Sequence, residues 1–210
     1  LRKIAAIIGS GHLGQQIAHY AISDNHYEKV VFFDDFTSEN AVNGFSVLGN
    51  TESIIAEFKK KSFDELLIGI GYKHLSVRKH LFERFSSVIP FGKIIHSTSW
   101  VDSTATVNEG CIIYPSCSID AYAEIGVNTI LNMACAVAHD TIVGKHSFLS
   151  PRVALAGFVN IGEMCVLGIN CTVIDNVSIV SKTQLGGGTV VTKNIESNGL
   201  YVGNPHRFIR

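Results

Sequence analysis

From Ile95 onward every sixth residue is Ile, Val or Leu: Val101, Val107, Ile113, Ile119, Ile125, Leu131, Val137, Val143, Leu149, Leu155, Ile161, Leu167, Val173, Ile179, Leu185 and Val191. Neither a helix nor an alternating strand keeps a period of six, so this half of the chain reads as a stack of short repeats that share one core. Four residues after each aliphatic position comes a small or β-branched residue, among them Ala105, Ala123, Thr129, Thr141, Ser147, Val153, Val159, Val177, Thr183 and Thr189. All five cysteines fall in this phase: Cys111, Cys117, Cys135, Cys165 and Cys171 are separated only by multiples of six, and none forms a CxxC. They read as small core residues and not as a zinc or redox set. Glycine recurs just after the aliphatic position, at Gly126, Gly144, Gly162, Gly168 and Gly186, where a corner is expected to need a permissive backbone.

This period resembles the hexapeptide repeat of left-handed parallel β-helix proteins, in which three hexads make one triangular coil and the aliphatic residues fill its interior. The handedness is an exception to the right-handed crossover rule. Residues 95–191 then enclose about five coils, stacked roughly 4.8 Å apart like neighbouring strands.

The first ninety residues follow another grammar. Lys3–Ile8 reads as a buried strand and Gly9-Ser10-Gly11-His12-Leu13-Gly14 as a tight turn. A helix with Leu13, Ile17, Tyr20 and Ala21 on its inner face follows, and Val30–Phe33 is a second strand ending at Asp34-Asp35. An amphipathic segment Glu52–Lys60, a strand Leu66–Ile70 and a helix over about Leu75–Phe85 complete a Rossmann-like small parallel α/β domain. Pro90 and Gly92 interrupt the pattern, which sets the expected domains at 1–92 and 93–210.

Composition excludes several classes of function. With 46% hydrophobic and 17% charged residues the chain is an ordered protein, and a net charge of -1 leaves no basic field for nucleic acid. No apolar run approaches the roughly 20 residues that span a bilayer. The expectation is a cytoplasmic protein with neither nucleic acid nor membrane as a partner.

The Gly9-x-Gly11-x-x-Gly14 turn aims backbone amides and a helix N-terminus at an anion such as a pyrophosphate. Asp34 and Asp35 lie about 20 residues further on, where a dinucleotide fold reads its ribose. An NAD-binding domain is therefore the competing reading. Three strands are too few for a whole dinucleotide site, however, and a single nucleotide fits better. The plainer alternative is that the glycines only shape the turn and the aspartates only end the strand.

In the repeat region His139 takes an outward corner position, followed by Asp140, and the residue 18 further on, one coil away, is Gly157. A side-chain base would thus face a glycine N–H able to hold the oxygen of an attacked acyl group. The same arithmetic stacks Pro151, Ile169 and Gly187 into a column fit for an extended pantetheine arm. Zinc is discounted, because His139 has no histidine one coil away at Ala121 or Gly157.

Ser10-Gly11-His12, Phe33-Asp34-Asp35, Ile70-Gly71, Leu131-Asn132, His139-Asp140, Leu167-Gly168-Ile169-Asn170, Leu185-Gly186-Gly187-Gly188 and Val202-Gly203-Asn204-Pro205 together carry a resemblance over nearly the whole chain. The chain resembles the sugar acyltransferase family related to sialic acid O-acetyltransferases, and most closely its bacterial branch that N-acetylates nucleotide-linked 4-amino-4,6-dideoxy sugars. That resemblance implies His139 as general base and Asp140 as the acid that orients it. It implies Asn132 near the sugar or the base, the Gly157 amide on the thioester carbonyl, and Ile169 and Gly187 against CoA. Ser10, Gly11, His12, Asp34, Asp35 and Gly71 would hold the nucleotide sugar. Relatives often carry a second histidine near the thioester where this chain has Phe148, which is carried over as a CoA contact. His146, two residues earlier, is expected on the solvated surface.

The resemblance further implies acetyl-CoA as co-substrate with no tightly bound cofactor or metal, and a homotrimer with CoA between adjacent helices. Direct attack of the C4 amine of a dTDP- or UDP-linked sugar is the expected chemistry. Three alternatives stay open: O-acetylation of a sialic-acid-like sugar, an NAD-dependent oxidoreductase, and a non-catalytic β-helix scaffold.

Overall fold

The computed structural model describes residues 3–210, which divide into one compact unit ending at Ile94 and a second running from Ile95 to Arg210.

In the first unit three parallel strands form a small sheet. Ile4–Ile8 (β1) lies between Lys29–Phe33 (β2) and Glu65–Ile68. Ala5 through Ile8, Val30 through Phe33 and Leu66 through Ile68 are all buried, as expected of a sheet covered on both faces. The third strand ends at Ile68 and not at Ile70. At Gly69 the chain passes so close to its neighbours that a Cβ would lie 2.6 Å from Gly14 Cα and 2.8 Å from Gly9 O.

Helix α1 (His12–Ser23) buries Gly14, Ile17, Ala18 and Ala21, so its inner face is rotated from the expected Leu13–Tyr20 stripe. The cause is the same crowding: a Cβ on Gly14 would sit 1.9 Å from Gly9 O, and small residues let the helix lie flat on the sheet. Leu13 and Tyr20 are left half-buried at its flanks. The Glu52–Lys60 segment is shorter than expected, a single 3-10 turn Thr51–Ser53 and a helix α2 at Ile54–Lys59. Helix α3 (Leu75–Phe85) buries Leu75, Leu81, Phe82 and Phe85, and also Arg78, whose guanidinium donates to Ile68 O and Ile70 O at 2.8 and 2.9 Å.

The second unit is a left-handed parallel β-helix. Up to Val191 its strands are two residues long and pair with the strand 18 residues on, as in Ser118 with Ala136 and Ala136 with Ala154. The first face carries Ile112–Ile113, Ile130–Leu131, Phe148–Leu149, Val166–Leu167 and Gln184–Leu185; the second carries Ala136–Val137 and Ala154–Leu155; the third carries Ile142–Val143 and Asn160–Ile161. Six strands stack on the second face. The helix makes about six turns, more than the aliphatic register encloses, because Leu200–Val202 adds a rung to the first face beside Gln184–Leu185.

The sixfold aliphatic residues form the interior, and the five cysteines are buried among them. Thiols and hydroxyls of this phase donate to carbonyls of the next coil, as Cys111 Sγ to Gly126 O at 3.1 Å and Thr141 Oγ1 to Ala156 O at 2.8 Å. Burial pushes the Cys165 thiol up to about 11, which keeps it in its unreactive form.

The corners correct one expectation. The left-handed backbone positions are not the recurring glycines but the residues two further on, including Asn128, Asp140, Phe158, Asn170 and Asn176, all with φ between 54 and 59°. The recurring glycines are small for a different reason, since a Cβ on Gly144 would strike the Gly162 carbonyl carbon at 2.4 Å. His146 is also corrected. It is 2% exposed, its Nδ1 3.1 Å from Asn128 Nδ2, because the 18-residue step stacks these two corner side chains on each other. No helix among the described residues is long and apolar enough to cross a membrane.

Candidate active site

His139 and Asp140 turn the corner between the second and third faces. Asp140 holds φ 55°, a conformation that Asp tolerates better than most residues, and its N–H donates to Ala121 O of the preceding coil at 2.9 Å. Thus held, its carboxylate Oδ2 lies 3.0 Å from His139 Nδ1. With the carboxylate as acceptor, Nδ1 carries the hydrogen and Nε2 keeps its lone pair.

One coil on, Gly157 lies directly against the imidazole. A Cβ there would be 2.7 Å from His139 Cε1 and 2.8 Å from Nε2, so the ring occupies the volume that any side chain at 157 would fill. The corner is tied down by Ala138 N–H to Leu155 O and Phe158 N–H to His139 O, at 3.0 and 3.2 Å. Phe158, which the sequence reading did not single out, packs against the imidazole at 5.1 Å between centroids and 85° between planes. Its only sequence signal was a large aromatic in the corner phase beside the histidine.

Asn132, Ile169 and Gly187 share a different corner, between the first and second faces. Asn132 Oδ1 accepts from Met133 N–H at 2.8 Å, and Ile169 is 50% exposed with its Cγ2 3.1 Å from where a Gly187 Cβ would be. Phe148 sits on the first face between Ile130 and Val166 and is 6% exposed. Within one chain, therefore, His139, Asp140 and Gly157 come together, whereas Asn132, Ile169 and Gly187 form a second edge and Phe148 joins neither.

In the first unit Ser10, Gly11, His12, Asp34, Asp35 and Gly71 gather at the C-terminal ends of the three strands, where open α/β sheets bind ligands. Gly9 (φ +97°) and Gly14 are required by the turn itself. Gly11 is not: a Cβ there would meet nothing within 4 Å, so its missing side chain leaves open space at the start of α1, whose N-terminus has no side-chain cap. His12 begins that helix and is exposed, and Gly71 precedes the Tyr72–His74 turn. A cavity of about 300 Å³ adjoins them, lined by Asp35, Phe36, Ile70, Val77, His80 and Arg84 among others.

Both carboxylates brace the protein itself. Asp34 Oδ2 accepts from Ser10 N–H and Oγ–H at 2.7 and 2.6 Å, and Oδ1 accepts from Phe36 N–H at 2.8 Å. Asp35 accepts from Thr51 N–H and Oγ1–H at 2.7 and 3.0 Å. Burial alone would raise the Asp34 pKa, but these Ser10 donors, with the Phe36 and Thr37 amides, outweigh it and hold the carboxyl below its ordinary value. Its contribution to stability is therefore present at neutral pH and is lost as the pH falls through that lowered value. Asp34→Asn is expected to destabilise the protein by about 1–3 kcal/mol at pH 7 by stranding a Ser10 donor. The gap between the two urea midpoints should narrow once the wild-type carboxyl is protonated; equal midpoints at pH 7 would count against this brace.

Among the described residues no group of three or more His, Cys, Asp or Glu side chains is placed to hold a metal ion.

Residues 4–85 match the PglD N-terminal domain family. Among solved structures, the acetyltransferase domain of PglB from Neisseria gonorrhoeae FA1090, in complex with acetyl coenzyme A, is 25% identical with a TM-score of 0.92, covering 100% of both chains. A histidine-to-alanine mutant of GDP-perosamine N-acetyl transferase from Caulobacter crescentus, in complex with CoA and GDP-perosamine, is 25% identical with a TM-score of 0.90, over 98% of this chain and 96% of that one. WeeI from Acinetobacter baumannii AYE is 22% identical with a TM-score of 0.86 over 98% of this chain and 99% of that one, a likeness of fold alone. The first unit is thus similar to a PglD N-terminal domain, and the fold of the chain is that of these proteins.

Proposed function

We infer that this chain is a nucleotide-sugar acetyltransferase, an acyltransferase of the group that includes PglB and the GDP-perosamine enzyme, which transfers acetyl from acetyl-CoA to the amine of a nucleotide-linked sugar. The acceptor is the C4 amine of a 4-amino-4,6-dideoxy sugar carried on dTDP or UDP, and His139 is the base. The observation that carries this reading is the imidazole resting on Gly157 with Nδ1 turned to Asp140.

The amine nitrogen attacks the thioester carbonyl carbon while its proton passes to His139 Nε2. The oxygen that becomes negative is met by the Gly157 N–H, which has no acceptor among the described residues. Collapse of the tetrahedral adduct breaks the C–S bond, the imidazolium returns the proton to the CoA sulfur, and the amide remains. Both substrates are bound at once, so no covalent enzyme intermediate is needed.

Assembly follows from the edges. Gly157 lies on one corner of the prism and Ile169 and Gly187 on another, so one CoA reaches both sets where corners of neighbouring copies face each other. A closed threefold array provides that arrangement. The Ser10–Gly11 turn, Asp34, Asp35 and Gly71 serve the nucleotide, with the start of α1 toward its phosphates.

The test is CoA release across UDP-, dTDP- and GDP-linked 4-amino sugars and free sialic acid, with sedimentation of the active species. The expected outcome is turnover of a nucleotide-linked amino sugar by a trimer. Preference for sialic acid would reassign the acceptor to a hydroxyl. A melting temperature raised by NAD, with no CoA released, would overturn the reading.

A further inference from the structure

Phe158 is a large aromatic residue at an outward corner of the β-helix. It takes φ 59°, the left-handed conformation that Tyr122, Asp140 and Asn176 hold in the same column of corners. Its ring is 54% exposed, so core packing does not account for it.

The ring packs on His139. The imidazole is itself about half exposed, its side chain 49% accessible. Asp140 fixes one nitrogen through a carboxylate that is 41% accessible and adjacent in sequence, and Gly157 leaves room for the ring without gripping it. Neither prevents the imidazole from swinging outward. Phe158, on the next coil, meets the imidazole edge-on at 5.1 Å and 85° and is the aromatic contact that ring makes.

We propose that Phe158 is a positioning residue that holds the His139 imidazole over Gly157 in the orientation from which Nε2 takes the amine proton. This deepens the general-base reading above and rests on it. Holding a base in its reactive orientation raises the rate of the chemical step and leaves ground-state binding alone.

Phe158→Asn separates this role from a structural one, because Asn suits the corner better than Phe. The thermal midpoint should stay level or rise while kcat falls about 10-fold, with KM for both substrates within about two-fold. Phe158→Tyr, which keeps the ring, should restore kcat. In a His139→Ala background Phe158→Asn should have no further effect. Unchanged kcat in Phe158→Asn, a raised KM with kcat retained, or a Tyr variant as slow as Asn would each overturn the proposal. If His139→Ala itself is as fast as wild type, the base reading fails; if His139→Ala is slow and Phe158→Asn is not, only this inference fails.

Discussion

Gly157→Ala is expected to lower kcat about as far as His139→Ala does, by about 10² to 10⁴-fold at saturating substrates. One added methyl has this effect because of where it would lie. It would come 2.7 Å from Cε1 and 2.8 Å from Nε2 of His139, well inside van der Waals contact, so the imidazole must leave. Asp140 Oδ2, 3.0 Å from Nδ1, cannot keep a displaced ring in register, and Nε2 is carried away from the acceptor amine. Residues that act as a unit do not add, so the double variant should be little slower than either single one. Neither should be dead, since holding amine and thioester together supplies rate without a base. The measurement is kcat for the two single variants and the double variant on the nucleotide sugar that wild type turns over fastest. A Gly157→Ala enzyme within about three-fold of wild type would sink the arrangement, as would losses that multiply in the double variant.

That arrangement was legible in the sequence because it follows from arithmetic. A six-residue aliphatic register fixes which residues point inward, and 18 residues make one coil, so His139 and Gly157 had to be neighbours. The register reports inward against outward, however, and says little about what covers an outward residue or how the backbone bends. His146 and His139 are both outward in phase, yet one is 2% exposed, stacked on Asn128, and the other stands open. Likewise the glycines after the aliphatic position suggested a flexible corner, when the left-handed turn is made two residues later, mostly by residues that have side chains. In the first unit the Gly9–Gly14 turn and the two aspartates were visible. That Asp34 accepts from Ser10 and Phe36 was not, because a hydrogen bond across 24 residues leaves no local pattern. The division of Gly157 from Ile169 and Gly187 follows from the same arithmetic, since 12 residues are two faces and not a whole coil.

Gly144→Ala is expected to be among the costliest small changes in the β-helix, at about 3 kcal/mol. Its φ is not in the left-handed region, so alanine is allowed by the backbone and would by itself stabilise by about 0.4–1 kcal/mol through the unfolded chain. What opposes it is fixed matter: the new Cβ would lie 2.4 Å from the carbonyl carbon of Gly162, 2.5 Å from its oxygen and 2.6 Å from Glu163 N. These atoms belong to the next rung, whose Gly162 N–H is itself bonded to Ile179 O at 2.8 Å, so relief must be passed along the stack. Overpacking of cores costs about 1–3 kcal/mol where side chains can give way, and here backbone must. Gly187→Ala is the contrast. Its Cβ would meet Ile169 Cγ2 at 3.1 Å, the tip of a half-exposed side chain that can rotate, and the cost should stay below about 1 kcal/mol. Gly157→Ala falls between them in kind, since its obstacle is the His139 ring and not backbone; it should keep its stability and lose its activity. Urea midpoints at constant m for the three variants give the comparison. A Gly144→Ala midpoint within about 0.5 kcal/mol of wild type, or one no lower than that of Gly187→Ala, would mean that the rungs yield more easily than their close approach implies.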